Sequence, residues 1–227
     1  MKGSRGFTLV ELLVALFALS LLAVMSWRGL DGMARVQSQT QARADEVLSL
    51  QVGLAQWGAD LDALYPLPQF STLDWNGRVL RMTRRGTAAQ PEGMLVVAWT
   101  RRTVEGNSAW LRWQSPPLTT RGEVDDAWRR ADTWSQTPGE EDRRREVVVT
   151  PLDDWQIFYF RGNAWTNPLS SDATAPTPAS APAMAAGQGT GVMPDGVRLV
   201  LTLPAGHAVS GALTRDWVRP TLGGGKS

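Results

Sequence analysis

Apolar and polar positions divide the chain into three regimes. From Phe7 to Trp27 (FTLVELLVALFALSLLAVMSW) the only ionisable side chain is Glu11, and the only other polar residues are Thr8, Ser20 and Ser26. At about 1.5 Å per residue this run makes roughly 30 Å of helix, enough to cross the hydrocarbon core of a bilayer. Only MKGSRG precedes it, with Lys2 and Arg5. No A-x-A-like cleavage site follows promptly, so the run reads as a retained anchor. Arg28, Arg35 and Arg43 follow the span, so counting basic residues leaves its orientation open.

The second regime has no Pro until Pro66, and residues 28–65 read as a continuation of the same helix. Arg35 to Glu46 is polar almost all round, as a solvated stalk or a subunit-facing surface would be. Val47, Leu50, Leu54, Trp57, Leu61 and Leu64 then recur at spacings of three and four, which puts them on one face. Gly53 and Gly58 flank that stripe, where a missing side chain lets a sheet approach closely. The repeat is short and lacks a regular charge pattern, so packing on the protein's own sheet is favoured over a coiled coil. Pro66-Leu67-Pro68 stops the helix.

Beyond Pro68 the period changes to short runs rich in Val, Leu, Trp and Tyr, separated by Gly, Pro, Asn or Asp. Strands are predicted at Arg78–Thr83, Met94–Thr100, Ala109–Gln114, Glu146–Thr150, Gln156–Phe160, Val197–Leu203 and His207–Leu213. A long helix followed by hairpins predicts an α+β fold, its antiparallel sheet or sheets laid on the striped helix face. From Ser170 to Gly191 the composition is Ala, Pro, Ser, Thr and Gly, the signature of a mobile insertion at 170–191. The expected organisation is a leader at 1–6, an anchor at 7–27, a helical extension at 28–65 and a β-rich head at 66–227.

Composition narrows the chemistry. The 227 residues include no Cys and one His, which excludes disulfides, thiolate metal sites and a cysteine nucleophile, and leaves His207 unable to build a histidine cage. Lys+Arg 23 against Asp+Glu 22 gives a formal charge of +1, which argues against nucleic acid as a partner. No metal site, cofactor or catalytic residue is predicted. Asp125-Asp126, Glu140-Glu141-Asp142 and Asp153-Asp154 lack the alternating ligand spacing of a calcium loop and read as solvated loops. His207, beside Gly206 in a turn, has no local Ser or acid to make a triad, and there is no G-x-S-x-G elbow or P-loop. Trp57, Trp99, Trp110, Trp113, Trp128, Trp134, Trp155 and Trp165 invite a stacking platform for sugars, but they fall on many separate runs. That spread favours core and subunit contacts.

Glu11 calls for a function. An ionised carboxylate one helical turn into hydrocarbon is costly unless a partner compensates it, and intramembrane ionisable residues are functional by default. The stretch Arg5-Gly6-Phe7-Thr8-Leu9-Val10-Glu11-Leu12-Leu13-Val14-Ala15-Leu16 resembles the N-terminus of type IV prepilins and pseudopilins: a short basic leader, Gly before the cut, Phe first in the mature chain and Glu five residues in. The resemblance implies cleavage by a prepilin peptidase between Gly6 and Phe7, N-methylation of Phe7, and an assembly role for Glu11 through the amine of a neighbouring subunit. It further implies a single-pass protein of the bacterial inner membrane with its C-terminal head in the periplasm. Cleavage removes Lys2 and Arg5, leaving 21 basic against 22 acidic residues, a net of −1.

Within that superfamily the chain most resembles the J family of type II secretion minor pseudopilins. The residues that carry this are Trp27-Arg28-Gly29-Leu30-Asp31, Trp57-Gly58-Ala59-Asp60-Leu61, and Met193-Pro194-Asp195-Gly196-Val197-Arg198-Leu199-Val200-Leu201-Thr202-Leu203. The resemblance implies a tip complex with minor pseudopilins I and K, capped over minor pseudopilin H and the major pseudopilin G. That complex primes the pseudopilus for export of folded proteins across the outer membrane. A type IV pilus minor pilin is the alternative inside the superfamily, and a membrane-anchored ligand-binding module the alternative outside it.

Overall fold

The computed structural model describes residues 8–66, 71–86, 93–170 and 193–220. The chain divides at Asp45/Glu46 into two compact units. Helix α1 (Leu9–Asp62, 54 residues) makes up nearly all of the described first unit and opens the second. In the first unit every described side chain is exposed, and the helix secures itself locally. Arg35 Nη2 donates to Asp31 Oδ2 at 2.7 Å and Gln41 Nε2 to Asp45 Oδ1 at 2.9 Å, both at the i,i+4 spacing that joins successive turns.

The second unit is an α+β head with two antiparallel sheets. One holds β1 (Leu73–Trp75), β2 (Val79–Arg85), β3 (Met94–Val104), β4 (Asn107–Gln114) and β5 (Glu146–Pro151), in that order. The other holds β6 (Asp154–Arg161), β7 (Ala164–Thr166), β8 (Gly196–Leu203) and β9 (Gly211–Val218), in the order β7-β6-β8-β9. Leu50, Trp57 and Leu61 of the predicted stripe are buried in a core with Trp99 and Trp110 of the first sheet and Trp155, Leu199 and Leu201 of the second. Leu54 and Leu64 pack against that core while remaining partly exposed.

The two stripe glycines differ. A Cβ on Gly53 would stand 2.2 Å from Cγ1 of Val149 on β5, whereas one on Gly58 would meet nothing within 4 Å. Gly53 is therefore the close-approach point, and Gly58 has no packing role. Gly58→Ala is expected to raise stability by about 1 kcal/mol, the ordinary helical gain. Gly53→Ala should lower it by about 1 kcal/mol or more, because overpacking outweighs that gain. Denaturant melts of both variants check the opposite signs.

Six of the seven predicted strands form, with ends moved by a few residues. The exception is His207–Leu213. There the chain stays in a turn until β9 begins at Gly211 and runs to Val218 in register with β8, from Leu203↔Gly211 to Gly196↔Val218. Its polar stretch Thr214-Arg215-Asp216 is tolerated because β9 is an edge strand exposed along most of its length. The short strands β1 and β7 were not predicted. Helix α1 stops at Asp62, ahead of the expected Tyr65, because Ala63 and Tyr65 turn to hydrogen-bond Arg85 and Thr83 of β2. Pro68 and insertion residues 171–191 lie outside the described residues.

The largest departure is helix α2 (Arg121–Gln136), which replaces the loop predicted around Asp125-Asp126. Thr120 and Glu123 form a reciprocal capping box, and Val124, Ala127, Ala131 and Trp134 face inward. Hydrogen bonds from the Thr119 and Thr120 amides hold the Glu123 carboxyl below its ordinary range. The buried face of α2 meets Val96, Ala98, Leu111 and Trp113 on the first sheet, forming a second core. With both faces covered, β3 is buried continuously from Leu95 to Thr100. Glu140-Glu141-Asp142 likewise begin a short turn of helix, α3 (Glu140–Arg143), in place of the predicted loop.

Candidate assembly site

The anchor presents apolar side chains on all sides. Leu9, Leu13, Phe17, Leu22 and Trp27 are all exposed, and the most apolar 18-residue window of α1 has a mean hydropathy of 2.5. A helix apolar all round is stable only inside lipid or among other apolar helices. Ala15, Ala18, Ser20 and Ala23 are exposed on it, and Ser20 Oγ satisfies itself by donating to the Phe17 carbonyl at 2.8 Å. Small residues such as these allow close helix approach within a membrane.

Glu11 stands in the first turn. The Thr8 amide and Thr8 Oγ1 both donate to Glu11 Oε2 at 2.9 Å, while the Glu11 amide donates back to Thr8 Oγ1 at 3.3 Å. This reciprocal arrangement caps the helix start and also stations the carboxylate at the positive end of the helix dipole. The partnership between Glu11 and Thr8 is seen only in the structure. Gly6 and Phe7 lie outside the described residues, so the structure places neither half of the expected cleavage site.

In the head, a fully buried carboxylate fixes the end of α1 to the sheet. Asp60 accepts from Arg84 Nη1, from Arg112 Nε at 2.7 Å and Nη2 at 2.8 Å, from Trp99 Nε1 at 3.0 Å and from Gln56 Nε2 at 2.8 Å. Two guanidiniums and an indole from β2, β3 and β4 thus converge on one helical residue. Nearby, Trp217 Nε1 of β9 donates to Asp62 Oδ1 at 2.7 Å. The signal for Asp60 was present in sequence: it sits three residues after Trp57 and one before Leu61, on the buried arc of the stripe.

The tryptophans go to the cores. Trp57, Trp99, Trp110, Trp113 and Trp134 are fully buried and Trp155 nearly so. Trp128 and Trp165 are half-buried and each lies against an arginine, Arg81 and Arg198 respectively. Arg198 also grips Asp216 across β8 and β9 with two 2.7 Å hydrogen bonds, which hold that carboxyl below its ordinary value. No exposed row of rings forms among the described residues.

Asp125 and Asp126 belong to α2, and Asp126 pairs with Arg129. Among the described residues no three His, Asp or Glu side chains gather closely enough to hold a metal ion. His207 Nδ1 lies 3.4 Å from Glu46 Oε1, and the Ala208 amide donates to Glu46 Oε2 at 2.8 Å. The β8–β9 turn is thereby held to the helix.

Residues 1–27 match the prokaryotic N-terminal methylation motif, which is typical of type IV pilin-like proteins, pseudopilins among them. The matched segment covers residues 1–6, Glu11 and the whole apolar run. No curated protein matches the chain.

Proposed function

We propose that the protein is a minor pseudopilin of type II secretion, of the J family, and that its work is assembly and not catalysis. The observation that carries this reading is the methylation motif at residues 1–27, set on an apolar helix whose last turns enter the core of an α+β head. In this reading prepilin peptidase cuts between Gly6 and Phe7, and Phe7 becomes the methylated terminus. The anchor then joins the bundle of a growing pseudopilus, with Glu11 facing a neighbour's amine. The head, periplasmic and bound to minor pseudopilins I and K, completes a tip complex above H and the major pseudopilin G.

The J assignment is supported by Trp27-Arg28-Gly29-Leu30-Asp31 and by Asp60, the centre of the buried clamp, within its own family-like pattern. The test is a chromosomal deletion in the source bacterium. Loss of exoprotein secretion with twitching intact is the expected result, whereas loss of twitching with secretion intact would assign the protein to a type IV pilus. Pull-down of the membrane-extracted protein with minor pseudopilins I and K is the second expected outcome.

Processing is tested separately. Gly6→Val should leave a precursor about six residues longer, visible by intact mass, because a β-branched side chain before the cut obstructs an extended backbone that glycine lets through. Unchanged processing would remove Gly6 from the cleavage site.

A further inference from the structure

Four strands end the two sheets, and three are defended against pairing with another chain. β1 and β7 are three residues long, and β9 carries Arg215 and Asp216. Short or charged edges are the usual protection against edge-to-edge association. β5 differs, with three consecutive valines and its Pro only at the last position. Val147 and Val148 are 58% and 51% exposed. Beside them a groove of about 390 Å³ is walled on the helix side by Leu48 and Val52, themselves 56% and 62% exposed.

The charges at one end of this groove are unbalanced. Glu141 and Asp142 face Arg130 at 3.7 and 3.8 Å, and Glu146 is taken by Arg102. Arg143 and Arg144, which lead into β5, have no ion pair among the described residues. Arg145 reaches Glu141 only at 3.6 Å through Nη2, and its Nε is buried without a hydrogen-bond partner. Arg145 and Arg112 line a second hollow of about 300 Å³ with Gln114 and Ser115. Arg112 also lines the apolar groove, so the two spaces adjoin.

We propose that β5 receives an extended segment of a different protein chain, paired antiparallel as every strand in this sheet is, with apolar side chains in the groove and a carboxylate at its C-terminal end held by Arg145. Antiparallel addition brings the segment's C-terminal end to the start of β5, where the arginines stand. Main-chain hydrogen bonds supply affinity and the groove and arginines supply selectivity, as in other strand-addition complexes. A second copy is the poorer occupant. Two β5 edges pair symmetrically only about a two-fold axis normal to the sheet, which sets Pro151 of each copy, with no N–H to donate, against the arginine end of the other.

The test uses the full-length chain in detergent micelles and a fluorescein-labelled peptide, Ser-Val-Thr-Val-Ser-Asp-Asp with blocked ends, against the same peptide ending Lys-Lys. Fluorescence anisotropy should show the acidic peptide binding at least about tenfold more tightly than the basic one, and hydrogen exchange at residues 147–149 should slow on binding. Arg145→Gln and Val148→Asp should each weaken binding by at least about tenfold. Val148 is exposed, so the fold should survive; if near-ultraviolet dichroism shows otherwise, Val52→Asp gives the same readout from the helix side. Equal binding of the two peptides, affinity weaker than about 1 mM, or indifference of folded variants would overturn the proposal. A chain dimer dissociated by Val148→Asp would replace it with self-pairing. Normal Gly6/Phe7 processing alongside any of these results leaves the proposed function standing.

Discussion

Asp60→Ala should destabilise the second unit by about 3–5 kcal/mol, the usual cost of removing one member of a buried ion pair and leaving its partners uncompensated. Arg84 and Arg112 are 9% and 13% exposed at their side chains, so water cannot readily replace the lost carboxylate. Trp99 Nε1 loses its acceptor in the same step. The clamp joins α1 to three strands, so its loss should also loosen the helix from the sheet, and hydrogen exchange over residues 50–61 should accelerate with the fall in the melting midpoint. The informative companion is the triple variant Asp60→Leu, Arg84→Met, Arg112→Leu. Replacing all three charges with apolar groups of similar volume should recover most of the stability, because the penalty comes from the orphaned charges. A loss under about 1 kcal/mol for Asp60→Ala would mean that the cluster contributes little to holding the helix.

Glu11→Leu should leave cleavage and membrane insertion intact while abolishing most incorporation into the assembly. Leucine makes the anchor easier to insert, since an ionised carboxylate costs about 2.5–3.5 kcal/mol at the centre of a membrane helix on insertion scales, and a smaller but still unfavourable amount in the first turn. A residue retained against that cost must return something in the assembled state. Thr8 takes up Oε2, which orients the carboxylate within its own first turn. Glu11→Gln keeps the hydrogen-bonding shape without the charge, so a defect of similar size there would assign the effect to pairing with a cationic amine. Thr8→Val should give a milder defect by removing the hydroxyl that orients the carboxylate. Site-specific crosslinking between anchors and exoprotein secretion are the measurements. Normal crosslinking and secretion in Glu11→Leu would show that the carboxylate is dispensable.

Much of the architecture follows from local pattern. The apolar run determines a helix with no polar face, which must be surrounded by lipid or by other apolar surface. The three-and-four spacing of Leu50, Trp57 and Leu61 determines which face of the helix is buried, and the alternating runs from Arg78 onward determine an antiparallel α+β head. Helix α2 was also encoded locally, in Thr120-x-x-Glu123 and the spacing of Val124, Ala127, Ala131 and Trp134. Its low overall hydrophobicity and Gly122 masked that signal, since a helix covering one sheet face needs only a narrow apolar stripe.

Other features exist only in three dimensions. Asp60 falls on the buried arc by sequence, but it becomes the centre of a clamp only because residues 24 and 52 positions away deliver their guanidiniums to it. Gly53 and Gly58 are equivalent in the helix pattern, and only the position of Val149 makes one a close-approach point and leaves the other replaceable. The valines of β5 read only as a strand, and it is the sheet order that places them at an edge and leaves Val147 and Val148 exposed. Periodicity reports which face of an element is apolar. Which neighbour covers that face, or whether any does, is decided by contacts distant in sequence.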